Sequence, residues 1–247
     1  MIRSLAATLG FLTTIPVPAA LLGPDLAPPK GMLWWWTPVG ALLGWLSAVV
    51  IGWATVYHVP WPTCATVGVV LLVALSGGLH LDGFMDTCDG LGSRAPRERA
   101  LEIMKDSRVG AFGVIGLVCL LLLKVAALAG LPPQRAFVAL CLTPVAGRVA
   151  QVLALNAFSY ARPGGGMGGA FFVAATPGHA AFSVVLALGL SLLLQQCFAP
   201  AMILTLGLSL LLAWSVARRL GGHTGDTVGA VSETAECIFL LACLLPF

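Results

Sequence analysis

Six runs of about 20 mostly apolar residues dominate this chain of 247 residues. A helix of roughly that length crosses the hydrocarbon core of a bilayer and satisfies its own backbone hydrogen bonds there. Only 9% of the residues are charged, against about 25% in soluble domains, which excludes an ordinary water-facing surface. The sequence therefore predicts an all-α, polytopic membrane bundle. Its spans are expected at 32–57, 61–79, 110–131, 136–158, 181–198 and 200–217.

The two ends of the chain depart from this pattern. The first 22 residues are apolar but contain Pro16 and Pro18, which favours an interfacial or re-entrant segment over a cleaved signal peptide. Residues 237–247 form a seventh span only if their helix begins near Ser232. Because no linker or repeat interrupts the chain, we expect one integral membrane domain over residues 1–247, with six to seven transmembrane helices.

Lysine and arginine are distributed unevenly between the two sides of the predicted bundle. With the loops 80–109 and 218–231 on one side, only Arg135 and Lys124 fall on the other. The basic residues on the richer side are Arg3, Lys30, Arg94, Arg97, Arg99, Lys105, Arg108, Arg162, Arg218 and Arg219. Cytoplasmic loops carry the excess of positive charge, so we expect both loops to face the cytoplasm.

Most of the acidic residues lie in a short stretch between positions 82 and 106. Asp82, Asp86 and Asp89 are spaced i, i+4, i+7 and would share one face of a helix. Like charges so placed beside a membrane either keep a proton or hold a cation, and carboxylate oxygens suit Mg²⁺ or Mn²⁺. Asp106 is a further candidate ligand. A helix end with solvated acids is the alternative.

A second acidic group follows the turn Gly221–Asp226 and comprises Asp226, Glu233 and Glu236. It would complete the metal site or supply a base, whereas Asp226 alone could instead cap the last helix. His80 and His223 each adjoin carboxylates and are candidate general bases.

Basic residues beside the acids suit a phosphate or pyrophosphate. Lys105 and Arg108 flank Asp106, although both could simply be positive-inside markers, the reading preferred for Arg97 and Arg99. Arg148, in the middle of a predicted span, indicates an anion contact reached from within the membrane. The glycine-rich segment after Arg162 lacks a P-loop ending and is only a weak signal of substrate contact. These residues together predict metal-dependent transfer of a phosphate-bearing group at the cytoplasmic membrane surface.

Three blocks of sequence resemble the cobalamin synthase family. They are His80–Leu91, Glu102–Gly113 and Gly221–Asp226, with weaker similarity at Phe11–Pro18, Gly147–Arg148 and Ala161–Gly164. The similarity runs in register from about residue 9 to 236. The run Gly164–Gly169 is richer in glycine than the family pattern.

The resemblance implies an inner-membrane transferase that uses Mg²⁺. Its substrates would be adenosylcobinamide-GDP and α-ribazole or α-ribazole 5′-phosphate, and GMP would leave. Besides the lipid bilayer, a homo-oligomer or a complex with pathway enzymes is left open, and no nucleic-acid partner is expected. The candidate catalytic residues are His80, Asp86, Lys105 and Asp226. The candidate substrate-binding residues are Arg94, Lys105, Arg108, Arg148 and His223. The candidate metal ligands are Asp82, Asp86, Asp89, Asp106, Asp226 and Glu233.

Two other functions are weighed against this one. A CDP-alcohol phosphatidyltransferase motif begins with Asp86, Asp89, Gly90 and Arg94, but its second half needs a glycine at 103 and aspartates at 107 and 111, where the chain has Ile103, Ser107 and Ala111. A cation-coupled transporter would use Asp86 and Arg148 for coupling. Acids gathered on one face rather than at mid-bilayer argue against it.

Overall fold

A computed structural model describes residues 1–22, 31–162 and 167–246. Within these ranges the chain forms α-helices and no strand, with one isolated bridge between Tyr160 and His223. The helices are α1 (Ile2–Leu12), α2 (Ala19–Leu22), α3 (Leu33–Val56), α4 (Trp61–Ser76), α5 (Leu79–Gly92), α6 (Arg97–Ile103), α7 (Ala111–Ala129), α8 (Pro133–Ala157), α9 (Met167–Ala174), α10 (Pro177–Leu194), α11 (Phe198–Leu220) and α12 (Gly225–Ala242). The predicted all-α membrane bundle is confirmed.

Five of the described helices, α3, α7, α8, α10 and α11, are long and apolar enough to cross a membrane. A sixth span exists only if α4 and α5 count as one, and these two meet at an angle of 93°. The predicted span 61–79 therefore extends too far, because α4 ends at Ser76. The first part of the predicted loop 80–109 belongs to the helix α5. The break falls at Gly77 and Gly78, whose φ angles are 65° and 69°. Consecutive left-handed residues cannot continue an α-helix, and glycine adopts them without strain.

The central helix of the bundle is α8, which is buried along most of its length. It packs against α3, α10, α11 and α12. Backbones approach closely where α3 presents glycine: a Cβ on Gly40 would lie 2.9 Å from the carbonyl oxygen of Pro144. Such small-residue contacts replace the hydrophobic driving force that is weak between helices in lipid.

The ends of the chain pack onto this core. The short helix α1 lies against α3, and the backbone N–H of Thr14 donates to the carbonyl of Leu75 at the end of α4. At the other end, α12 begins at Gly225 rather than near Ser232 and is largely buried. Its three acidic residues set it apart from the five apolar helices, and α12 is not among the described helices that are long and apolar enough to cross a membrane.

Candidate active site

The crossing of α5 and α12 places the two acidic groups of the sequence together. A Cβ on Gly83 would lie 2.8 Å from the Cα of Asp226, and one on Gly229 would lie 3.2 Å from the carbonyl oxygen of His80. Glycine at both positions therefore lets the two backbones touch. This contact brings Asp226 to the face of α5 that carries Asp82 and Asp86.

Four carboxylates share this region, and we call them the acidic face: Asp82, Asp86, Asp89 and Asp226. The charges of Asp226, Asp82 and Asp89 all repel that of Asp86, and Arg162 partly offsets them. An excess of negative charge at one place favours a bound cation. Among the residues described, however, no three His, Cys, Asp or Glu side chains lie close enough to hold a metal ion by themselves.

Asp89 is held in place by the start of α7. Its two carboxylate oxygens accept hydrogen bonds from the backbone N–H groups of Gly110 and Gly113, at 2.9 Å and 2.8 Å. A side chain on either glycine would collide with this carboxylate. The glycine pair that the sequence places beside Lys105 and Arg108 thus makes room for an acidic cap, which the positive end of a helix stabilises.

A cavity of 390 Å³ opens beside the acidic face. Among the predicted site residues, His80, Asp82, Lys105 and Asp226 line it. Its aromatic walls are formed by Phe11, Trp36, Tyr160, Phe171 and Phe172. This combination of apolar walls and a few convergent polar groups is typical of ligand sites.

Arg162 is a cavity residue that is not among the candidate site residues predicted from the sequence. It lines the cavity, and its Nη2 donates to Oδ2 of Asp226 at 2.7 Å. Two backbone hydrogen bonds set this arrangement, from His223 N to Ser159 O and from Ala161 N to His223 O. The sequence does contain one indication of this role, because Arg162 lies between a predicted membrane span and a glycine-rich segment.

His223 lies in the turn Gly221–Asp226 and is not part of the cavity lining. Its Nδ1 bonds to the Thr227 hydroxyl at 2.9 Å and its Nε2 to the carbonyl of Ala213 at 3.0 Å. Burial lowers the pKa of His223 to about 4, against a smaller opposite effect of the Ala213 carbonyl. Both ring nitrogens have partners within the protein, so the structure favours a role in holding the turn over substrate binding or base catalysis.

His80 is oriented by Arg148 from behind the cavity. The Nη1 of Arg148 lies 3.1 Å from His80 Nδ1 and 3.1 Å from the Ser232 hydroxyl. Because arginine only donates hydrogen bonds, His80 Nδ1 accepts and the ring carries its proton on Nε2. The arrangement favours a hydrogen-bond donor at position 80 over the general base that the sequence predicts.

Arg148 and Glu233 belong to a separate group, the buried charge cluster of Lys124, Arg148, Glu233 and Glu236. Lys124 Nζ lies 2.6 Å from Glu233 Oε2 and 2.7 Å from Glu236 Oε2. All four residues are at most 5% exposed. The sequence expectation that Lys124 lies on the outer face is wrong, because its side chain is inside the bundle.

The helical rise explains why Glu233 does not join Asp226. Seven residues along a helix correspond to about 10 Å, so Glu233 lies two turns deeper in the bundle than Asp226 on the same helix. There it faces Lys124 of α7. The structure thus gives Glu233 a cationic partner away from the cavity, and likewise holds Arg148 behind His80 instead of at an anion site.

The remaining predicted residues lie on exposed turns outside the cavity lining. Arg94 follows α5 with a φ of 54°. Arg108 forms a two-pronged pair with Asp106, with Nη2 and Oδ2 at 2.6 Å. Hydrogen bonds from Arg108 lower the pKa of Asp106 to about 2. Asp106 is therefore paired with Arg108, and its observed contacts do not include the four carboxylates of the acidic face.

Comparison with known proteins gives one family over nearly the whole chain. A family model described as cobalamin-5-phosphate synthase matches residues 4–244. A protein named adenosylcobinamide-GDP ribazoletransferase from Klebsiella pneumoniae subsp. pneumoniae is 38% identical, covering 99% of this chain and 100% of its own. Proteins of the same name from Desulforamulus reducens and Brevibacillus brevis are 39% and 38% identical, covering 84% and 94% of this chain and 83% and 94% of their own.

No solved structure matches the chain. The family model and the relatives agree with the three sequence blocks that meet around the cavity. The chain belongs to the cobalamin-5-phosphate synthase family.

Proposed function

We propose that this protein is an adenosylcobinamide-GDP ribazoletransferase that works at the acidic face. The observation that carries the proposal is the junction of α5 and α12, where Asp82 and Asp226 line a cavity beside Lys105 and Arg162. Carboxylates for a metal and cations for a pyrophosphate are the two groups that such a displacement needs. The names of the relatives supply the substrates.

The reaction joins a ribose hydroxyl of the acceptor to the phosphorus that carries the cobinamide. The hydroxyl oxygen forms the new bond, the bond from that phosphorus to the bridging oxygen breaks, and GMP leaves with this oxygen. The proton of the hydroxyl passes to a carboxylate of the acidic face or to water. Asp86 and Asp226 are the carboxylates we assign to this task or to metal binding.

We assign Lys105 and Arg162 to binding of the pyrophosphate. Both line the cavity beside the acidic face, and both also line a neighbouring surface groove of 240 Å³ that includes Arg97. Cations at the junction of two openings can neutralise charge that develops on the leaving phosphate. His80, with its proton on Nε2, adds a neutral donor at the cavity wall.

Mg²⁺ fits the donor set that the structure presents. This ion is commonly bound through one or two carboxylates together with substrate phosphates and water, so the absence of a three-ligand group among the described residues is compatible with it. One or two of Asp82, Asp86 and Asp226 would hold the ion together with the pyrophosphate of the substrate. When bound, Mg²⁺ neutralises charge on the pyrophosphate and lowers the barrier to displacement.

The CDP-alcohol phosphatidyltransferase and transporter alternatives lose their main support. The family match excludes the first as the chain's own family, and the hydrogen bonds of Arg148 go to His80 and Ser232 rather than to Asp86 among the described residues. We further propose an inner-membrane location with the acidic face toward the cytoplasm, supported by the basic residues around it.

The decisive experiment measures GMP release by the full-length protein in lipid nanodiscs. Given adenosylcobinamide-GDP, α-ribazole and Mg²⁺, we expect GMP and a cobalamin product in equal amounts, and no product with a chelator. A chelated sample as active as the magnesium sample would remove the metal from the proposal. CMP release from a CDP-alcohol, with no GMP release, would overturn the assignment.

A further inference from the structure

The cavity divides into two kinds of wall. Phe11, Trp36 and Phe171 contact one another, with ring centroids 5.1–6.4 Å apart, and so form one continuous aromatic patch. The charged walls are grouped separately, since Arg162 pairs with Asp226 and both lie close to Asp86. A ligand that fills this cavity therefore needs a flat apolar part and a polar part.

From this division we infer that the aromatic patch is the acceptor subsite, which binds the benzimidazole base of ribazole and directs its ribose toward the acidic face. The inference rests on the proposed function and adds the position of the acceptor. Benzimidazole is a flat, largely apolar ring, and aromatic side chains bind such rings by offset or edge contacts. The ribose hydroxyls match the carboxylate and cationic groups beyond the patch.

Size separates the acceptor from the donor. At 390 Å³ the cavity lies at the lower end of the range of small-molecule sites, about 300–1,000 Å³. A single aromatic nucleoside fits that volume, whereas a corrinoid joined to a nucleotide is several times larger. The corrinoid donor must therefore stay outside, with its pyrophosphate reaching Lys105 and Arg162 at the opening that leads to the neighbouring groove.

The patch is also held in a fixed shape. Trp36 and Phe171 are 3% and 4% exposed, and they come from α3 and α9, with Phe11 from α1. Three helices distant in sequence thus build one wall around the ring. A preformed wall lowers the entropy cost of binding. The polar atom of the three rings is the indole N–H of Trp36, which donates but cannot accept a hydrogen bond from an exocyclic amino group, so the patch disfavours bases that carry one.

The test compares Phe171→Ala with Phe182→Ala in full-length protein in nanodiscs. Phe182 is a matched control because it is 38% exposed on α10 and does not line the cavity. We expect Phe171→Ala to raise KM for α-ribazole by about tenfold, in line with base–aromatic stacking energies, and to leave KM for adenosylcobinamide-GDP within twofold. Phe182→Ala should change neither value.

Two further measurements keep the inference open to refutation if Phe171→Ala folds poorly. Phe171→Leu retains an apolar side chain and should raise the same KM by a few-fold. The base of α-ribazole is a benzimidazole that carries two methyl groups. In equilibrium titrations of the unmodified protein, the α-riboside of benzimidazole that lacks these methyl groups should bind several-fold more weakly than α-ribazole. α-Adenosine should bind more weakly still.

Equal affinity for all three nucleosides would overturn the assignment of the aromatic patch as the acceptor subsite. A Phe171→Ala protein in which only the KM for adenosylcobinamide-GDP changes would also overturn it. Loss of α-ribazole affinity in Phe182→Ala would also overturn it. Failure of the unmodified protein to release GMP would instead contradict the proposed function, and the titration with α-ribazole alone distinguishes the two failures.

Discussion

The acidic face and the buried charge cluster are built from the same kinds of residue but are organised in opposite ways. The cluster has two cations, Lys124 and Arg148, and two carboxylates, Glu233 and Glu236, all enclosed in the bundle. The acidic face has four carboxylates beside one arginine and borders a cavity. Charge balanced internally holds helices together, whereas unbalanced charge beside a cavity is available for a ligand.

The cost of desolvation explains the difference. A charged group inside a membrane protein is expensive unless it is paired, so the deeper residues of α12 pair with Lys124. Nearer the start of α12, Asp226 remains partly accessible, and its Oδ2 accepts hydrogen bonds from Arg162 and from the Thr224 hydroxyl. One helix thus contributes to a structural cluster and to a candidate active site, separated by two turns.

The largest effect is expected at the acidic face. Asp226→Asn should reduce GMP release by about a thousandfold or more, because under the proposed function it removes a carboxylate that would hold the metal, and with it the charge that would neutralise the pyrophosphate. The thermal unfolding temperature should change little, since the pair with Arg162 is partly exposed. Assays at saturating Mg²⁺, with size-exclusion profiles as the folding control, measure both. Near-normal turnover would remove Asp226 from the site.

The buried charge cluster should respond in stability instead. Lys124→Met leaves two buried carboxylates without their cation and should destabilise the protein by about 3–5 kcal/mol. Chemical or thermal unfolding in detergent measures this loss. Adding Glu233→Gln and Glu236→Gln to Lys124→Met should recover most of it. If Lys124→Met unfolds like the unmodified protein, the cluster is not a stabilising element.

His80 connects the two regions, and its expected effect is intermediate. As a donor through Nε2, it should be replaced in part by glutamine, whose amide N–H reaches a similar position. We expect His80→Gln to retain activity within about tenfold and His80→Ala to lose about a hundredfold, the usual contribution of one such donor. A general base would make the two variants equally inactive. Initial rates of GMP release decide between them.

The smallest effect concerns the helix crossing that assembles the acidic face. Gly83→Ala places a Cβ against the backbone of Asp226, and overpacking of this kind costs about 1–3 kcal/mol. Turnover should fall as α5 and α12 separate. The matched control is Gly189→Ala, where nothing lies within 4 Å of the added carbon. Equal unfolding temperatures for the two variants would show that the crossing tolerates a side chain.

The sequence predicts the membrane bundle well because the signal is repeated along the chain. Each apolar run indicates its own helix without reference to the others, and five of the six predicted spans coincide with single long helices in the described residues. The exception, 61–79, fails at Gly77 and Gly78. Their left-handed conformation redirects the chain by 93°, and apolar composition alone does not reveal this.

The candidate site is predicted in its polar half only. Asp82, Lys105, His80 and Asp226 stand out in an apolar chain, and the structure brings all four to one cavity. The aromatic wall carries no comparable signal, because Phe and Trp side chains are common throughout the predicted spans. Glu233 is misassigned because closeness in sequence to Asp226 hides a helical rise of about 10 Å.

The sequence by itself determined that this chain lies in a membrane, that it is helical, and which few polar residues can carry chemistry. These properties depend on composition and local spacing, which each segment expresses alone. Only the tertiary structure decided how charges pair, because pairing depends on which helices touch. The glycine contact between α5 and α12 brings Asp226 to the cavity, and the packing of α7 on α12 encloses Glu233 with Lys124.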